Sequence, residues 1–315
     1  MTPWLLSLLG LVILLLAGDA LVRGAVNLSL RLGVPALIVS LTIVAFGTSA
    51  PELLIAISAV KDNAPGIALG NVVGSNTANI LLVLGIPALL TTLHTSECDS
   101  RKNYVLMILA SLVFIGLAFL GIFTLATGLI LLAMLAVVLF DMMRDARAHR
   151  ACGVPDQLEE IEEADPDMPY WRVGLYLVLG LVGLPLGAHL LVENASLIAQ
   201  AYGVSDTVIG LTLVAVGTSL PELATTVMAA LRRQADVALG NVIGSNMFNL
   251  LAIVGIATFF GDIPVDPEFL NFDLWVMLGA SLLLFPFVFF NVNITRLWGI
   301  ALTALYAIYV IAILT

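Results

Sequence analysis

The sequence predicts an all-α integral membrane protein of about ten transmembrane helices, arranged as two inverted five-helix repeats. Three observations carry this expectation. The 315 residues are 61% hydrophobic and only 11% charged, with a mean hydropathy of +1.10, against roughly 25% charged residues in soluble domains. Apolar runs of about 18 or more residues recur along the chain, each long enough to cross a hydrocarbon core of roughly 30 Å as a helix. Finally, the chain repeats itself 170 positions further on.

The first apolar run, "WLLSLLGLVILLLAGDALV", lacks a basic leader and exceeds the apolar core of a signal peptide, so a retained span is expected near 3–24. Further spans are expected near 34–60, 65–91, 103–121, 124–143, 170–192, 204–230, 236–260, 272–291 and 294–314. Only the middle connection is long. Residues 1–145 then form the first repeat, 146–169 an acidic cytoplasmic linker, and 170–315 the second repeat. The stretch "DQLEEIEEADPD" at 156–167 supplies seven acids to a net charge of −10. It reads as a solvated linker, with a regulatory cation site as the alternative.

Short loops rich in Lys and Arg stay in the cytoplasm. In this layout Arg23, Arg31, Arg101, Lys102, Arg144, Arg147, Arg150, Arg172, Arg232, Arg233 and Arg296 share one side, and only Lys61 falls on the other. Both termini are therefore expected outside the cytoplasm, in a cell-membrane protein. Cys98 and Cys152 fall on the cytoplasmic side and form neither a disulfide framework nor a metal motif. Trp4, Trp171, Trp275 and Trp298 sit near predicted span ends, as interfacial anchors do. Asp19 with Arg23 and His189 with Glu193 are i,i+4 pairs at positions equivalent under the shift, read as local pairing.

The block "GVPALIVSLTIVAFGTSAPELLIAISAVKDNAPGIALGNVVGSNTANILLVLG" aligns without a gap on residues 203–255, with about 24 of 53 positions identical. Each half holds an odd number of spans, so the second copy enters the membrane from the opposite side. Inverted repeats with interruptions in matching places point to a secondary transporter whose site lies between the halves at the midplane.

The interruptions are "GTSAPE" at 47–52 and "GTSLPE" at 217–222. Pro51 has no N–H for the carbonyl of Gly47 and disfavours helical geometry at Ala50; Pro221 acts likewise on Gly217 and Leu220. Carbonyls freed inside a membrane are tolerated only beside protein or a water-filled cavity. Glu52 and Glu222 are costly there and should face the bundle interior. No Lys or Arg lies at comparable depth, so their partner is an imported cation or a proton. Two carboxylates, the carbonyls of Thr48 and Thr218 and the hydroxyls of Ser49 and Ser219 make a set of hard oxygens, suited to Ca²⁺ or Na⁺.

The second duplicated block is "ALGNVVGSNTAN" and "ALGNVIGSNMFN". Asn71, Ser75 and Asn79 share one helix face, as do Asn241, Ser245 and Asn249. These uncharged polar stripes read as site-lining, with interhelical hydrogen bonding as the alternative. Gly70, Gly74, Gly240 and Gly244 form small-xxx-small patterns that let helices approach closely.

The paired "GTSAPE" and "GTSLPE", each followed by "GNVVGSN" or "GNVIGSN", resemble the α-repeats of the cation/Ca²⁺ exchanger superfamily, especially its short prokaryotic Na⁺/Ca²⁺ exchanger-like members. The resemblance covers essentially the whole chain. It implies a ten-helix antiporter, not an enzyme, in which the first and sixth spans slide across a core formed by the repeats. It also implies ion ligands at Glu52, Glu222, Thr48, Ser49, Thr218 and Ser219, with Ser75, Asn79, Ser245 and Asn249 on the partner helices. Several Na⁺/Ca²⁺ exchangers carry aspartate where this chain has Asn249. Two formal negative charges remain, enough for one Ca²⁺ or two monovalent ions.

The expected function is Ca²⁺ extrusion against Na⁺ by alternating access, with no cofactor and no nucleic-acid partner. A Ca²⁺/H⁺ exchanger, whose glutamates carry the protons, is the near alternative. A passive cation channel is a further one, against which the inverted repeats argue.

Overall fold

The computed structural model describes residues 2–95, 100–152, 165, 167–203, 215–267, 269–290 and 292–314. Cys98, most of the acidic linker and the first half of the seventh expected span lie outside the described residues.

The first repeat comprises α1 (Thr2–Leu32), α2 (Ala36–Thr48), α3 (Ala50–Lys61), α4 (Pro65–Leu90), α5 (Arg101–Ala118) and α6 (Leu125–Cys152). The second comprises α7 (Tyr170–Ala201), the described end of α8 (Ala215–Thr218), α9 (Leu220–Leu231), α10 (Ala235–Ala257), α11 (Phe269–Phe289) and α12 (Arg296–Leu314). Eight of these helices are long and apolar enough to span a membrane alone, and α2 with α3 makes one further broken span. The chain is a multi-pass membrane protein.

The 170-residue repeat reaches down to single torsion angles. Asn63 and Arg233, in the turns that follow α3 and α9, both have φ 57°. The turn residues Gly33 and Gly203, which follow the last residues of α1 and α7 by one and two positions, are also left-handed, at φ 63° and 81°.

The equivalent helices α1 and α7 run antiparallel. Gly10 faces Leu191, where an added Cβ would come within 2.7 Å of the backbone nitrogen, and Gly24 faces Leu177 at the other end. Gly180 and Gly187 return the contact against Leu21 and Leu14. Copies whose first helices oppose one another are inverted. Glycine is needed along this seam because backbone meets backbone, the packing that small residues permit between membrane helices.

Both long helices outrun expectation, α1 to Leu32 and α7 to Ala201 rather than 24 and 192. Within these helices polar side chains meet four residues apart: Arg23 Nε lies 3.0 Å from Asp19 and His189 Nε2 lies 3.6 Å from Glu193. The end of α1 is also tied to the start of α7. Asn27 Oδ1 accepts from the Asp165 backbone N–H at 3.0 Å, Arg31 Nε donates to the Met168 carbonyl at 2.7 Å, and the Arg31 guanidinium stands 5.2 Å over the Tyr170 ring.

The core is α4 and α10. The most apolar window of α10 is wholly buried and that of α4 is 83% buried, against 17% for α12. Peripheral helices therefore turn their apolar side chains toward lipid. Gly240 and Gly244 bring α10 against α2, where added Cβ atoms would stand 2.9 Å from the Leu37 carbonyl oxygen and 2.6 Å from that of Leu41. Residues 207–211, the repeat equivalents of residues 37–41, lie outside the described residues.

Candidate functional site

The broken spans behave differently from the expectation at one residue. Ala50 and Leu220 are helical, and the chain breaks one position earlier, at Ser49 (φ −85°, ψ 5°) and Ser219 (φ −86°, ψ 4°). α2 and α3 meet there at 42°. Pro51 and Pro221 each fall in the first turn of the new helix, where a missing N–H breaks no hydrogen bond.

This break places Glu52 and Glu222 in the first turns of α3 and α9, where a helix N-terminus favours negative charge. Their side chains are 1% and 0% exposed. Burial that complete demands partners, and few are supplied. Ser49 Oγ donates to Glu222 Oε1 at 3.1 Å, but among the described residues Glu222 Oε2 and both carboxylate oxygens of Glu52 have no hydrogen-bond partner.

Thr48 Oγ1 lies 3.2 Å from Asn241 Oδ1, to which it donates, and 3.5 Å from Ser245 Oγ. Ser219 is buried with its hydroxyl unpartnered. Thr218 lines a cavity of about 380 Å³ together with Pro51, Pro185, His189, Glu193 and Pro221, so open space reaches the α8–α9 break beside Glu222. Ser75 is buried on α4.

Asn79 and Asn249 are buried. Each opens a five-residue π-helical turn, Asn79–Val83 and Asn249–Ile253, the kind of local irregularity frequent at functional sites. Asn79 Oδ1 and both amide atoms of Asn249 are without partners. Eight sequence-predicted residues thus have direct side-chain hydrogen bonds or unpartnered oxygens; Ser75 and Thr218 are placed by burial and cavity lining. The stripe residues Asn71 and Asn241 brace the site: their Nδ2 atoms donate to the carbonyls of Glu52 at 3.4 Å and Glu222 at 3.3 Å.

The sequence reading missed Asn76 and Asn246. Asn76 Nδ2 donates to the Asn246 carbonyl and Asn246 Nδ2 to the Asn76 carbonyl, each at 3.3 Å. A reciprocal bond between positions 170 apart places them about the relation that exchanges the repeats. Their signal was the shared "GSN" of both blocks, off the i,i+4 stripe. Also missed was Arg232, which pairs with Asp19 across α9 and α1.

Among the described residues no cluster of three His, Cys, Asp or Glu side chains is present. The donor set around Glu52 and Glu222 is instead two carboxylates with neutral oxygens, which suits a hard cation and not a soft or borderline one.

Comparison with known proteins agrees with this architecture. The family model described as "Sodium/calcium exchanger protein" matches residues 2–143 and 173–315. The chain is 34% identical to the sodium/calcium exchanger MaX1 of Methanosarcina acetivorans, over 98% of each chain. It is 32% identical to the inner membrane protein YrbG of Escherichia coli, over 88% of this chain and 86% of that one. A solved structure of the sodium-calcium exchanger NCX_Mj, soaked with Na⁺ and Sr²⁺, superposes with a TM-score of 0.83 at 33% identity, covering 100% of this chain and 98% of that chain. With both halves matched and the fold shared from end to end, the chain belongs to the sodium/calcium exchanger protein family.

Proposed function

We propose that the protein is a secondary antiporter that moves Ca²⁺ in exchange for Na⁺ by alternating access at a midplane site formed by Glu52 and Glu222. The observation that carries this reading is the set of buried, unpartnered oxygens: both of Glu52, Oε2 of Glu222, Oδ1 of Asn79 and Asn249, and the Ser219 hydroxyl. Buried polar atoms are nearly always satisfied, and a cluster of acceptors is satisfied by a cation. Thr48, Ser49, Thr218, Ser75 and Ser245 complete the oxygen set. Two carboxylates balance one Ca²⁺ or two Na⁺, so the ions compete for overlapping ligands and the empty site carries two uncompensated negative charges. Crossing without cargo is then unfavourable, which couples the two fluxes with no covalent step.

The cavity lined by α7 serves as the open route to the site, while the Asp19–Arg232 pair holds α1 against α9 on the opposite side. Exchanging those two arrangements between the inverted repeats 1–145 and 170–315 is the alternating step. The distribution of basic residues supports a cytoplasmic linker at 146–169 with both termini outside the cytoplasm. Relatives named as sodium/calcium exchangers support Na⁺ as the counter-ion. Protons on the carboxylates are the second reading, favoured by the absence, among the described residues, of a hydrogen-bond donor to either Glu52 carboxylate oxygen.

The test is ⁴⁵Ca²⁺ uptake by purified protein in liposomes. Glu52→Gln should abolish exchange while the protein stays folded; exchange at the wild-type rate would remove Glu52 from the site. Uptake that follows pH and ignores Na⁺ would select proton coupling.

A further inference from the structure

Asn79 and Asn249 are equivalent by repeat, yet their amides are held differently. Asn79 Nδ2 donates to Asn246 Oδ1 at 3.0 Å, which leaves Asn79 Oδ1 unpartnered and available to a cation. The equivalent bond, from Asn249 Nδ2 to Asn76 Oδ1, is not made: both of those atoms are unpartnered. An amide has one end that attracts a cation and one that repels it, so its usefulness as a ligand depends on which end faces inward. Asn246 is itself held by its Nδ2 bond to the Asn76 carbonyl, and Asn76 by bonds to the Asn246 carbonyl at 3.3 Å and to Met277 Sδ at 3.7 Å.

We propose that Asn246 is a positioning residue for ion binding: by accepting from Asn79 Nδ2 it turns the Asn79 carboxamide oxygen toward the ion. Asn76 is its counterpart for Asn249, and the bond is made in one repeat at a time. This rests on the proposed site at Glu52 and Glu222. In the present conformation the α4 side of the site is oriented by a hydrogen bond and the amide on the α10 side is not. When the repeats exchange roles, Asn76 Oδ1 takes the Asn249 amide and Asn246 releases Asn79. The unequal holding of two equivalent ligands marks the conformation of the transporter within its site.

The test is the Ca²⁺ dependence of ⁴⁵Ca²⁺ exchange in proteoliposomes for Asn246→Ala, alone and in an Asn79→Asp background. Outer-shell partners of cation ligands typically change affinity about 10- to 100-fold. The single substitution should raise KM for Ca²⁺ about tenfold with kcat per folded molecule largely retained. In the Asn79→Asp background both terminal atoms are oxygens, orientation no longer matters, and Asn246→Ala should shift KM by less than about twofold. Should Asn246→Ala not fold, Asn246→Ser, which leaves a smaller packing defect, is measured in the same cycle. An unchanged KM with reduced kcat or reduced folded protein would assign Asn246 to packing and overturn the proposal, as would an equal KM penalty in both backgrounds. The Glu52→Gln result decides the site itself separately, because it does not depend on how Asn79 is oriented.

Discussion

The Ser49 hydroxyl donates a 3.1 Å hydrogen bond to Glu222 Oε1, whereas the hydroxyl of its repeat partner, Ser219, is buried without a partner. The break in the first repeat thus holds the carboxylate of the second. Ser49→Ala should loosen Glu222 and weaken Ca²⁺ binding by about 1.5–3 kcal/mol, the usual worth of a hydrogen bond to a charged group, or roughly 10- to 150-fold. Ser219→Ala removes no hydrogen bond made among the described residues, so its effect on binding reports direct ligation. Calorimetric titration with Ca²⁺ separates the two.

Replacing either carboxylate should be far more damaging. Glu222→Gln removes half of the formal negative charge of a fully buried cluster and with it the attraction for a cation. Exchange should fall at least about 100-fold while the melting temperature in detergent stays level or rises, because a buried carboxylate with one unpartnered oxygen has been neutralised. A melting temperature that fell with activity would make Glu222 a structural residue.

Asn249 stands where several relatives by family resemblance carry aspartate, and neither of its amide atoms has a partner. Asn249→Asp adds a third carboxylate. It should tighten the apparent Ca²⁺ affinity and raise the Na⁺ concentration dependence of exchange; measuring initial rates across a Na⁺ series checks this, and an unaltered series would place Asn249 outside the ion's reach.

Helix packing gives a prediction about stability alone. An alanine methyl at Gly244 would stand 2.6 Å from the Leu41 carbonyl oxygen, and overpacking of this kind costs about 1–3 kcal/mol. Gly279 has nothing within 4 Å of an added Cβ, so Gly279→Ala should be neutral or stabilising by up to about 1 kcal/mol, the helix-propensity gain. Thermal unfolding should show a loss for Gly244→Ala and none for Gly279→Ala; no loss at Gly244 would mean that the α2–α10 contact is not tight.

Much of this was legible in the sequence because the duplication doubled every signal. "GTSAPE" and "GTSLPE" located both broken spans, both carboxylates and the serines between them. The break itself came one residue early, since a proline's effect on the residue before it yielded to its fit in a first helical turn. The π-helical turns at Asn79 and Asn249 were illegible: apart from the opening asparagines their residues are apolar and continue the helical pattern on either side. Asn76 and Asn246 were in plain view but lay off the i,i+4 stripe. Their partner is the other repeat, and no periodicity within one helix reports a contact between two. The same holds for Arg232, which read as a topology-setting charge and is also paired with Asp19.

The most direct test of the central claim is ⁴⁵Ca²⁺ uptake into proteoliposomes loaded with Na⁺, compared with vesicles loaded with choline at the same pH. The carboxylate and amide site predicts uptake that requires internal Na⁺, is absent in Glu52→Gln, and changes with an imposed membrane potential if exchange moves net charge, at about 2.3 kcal/mol per elementary charge per 100 mV. Equal uptake into Na⁺ and choline vesicles would contradict Na⁺/Ca²⁺ exchange at this site.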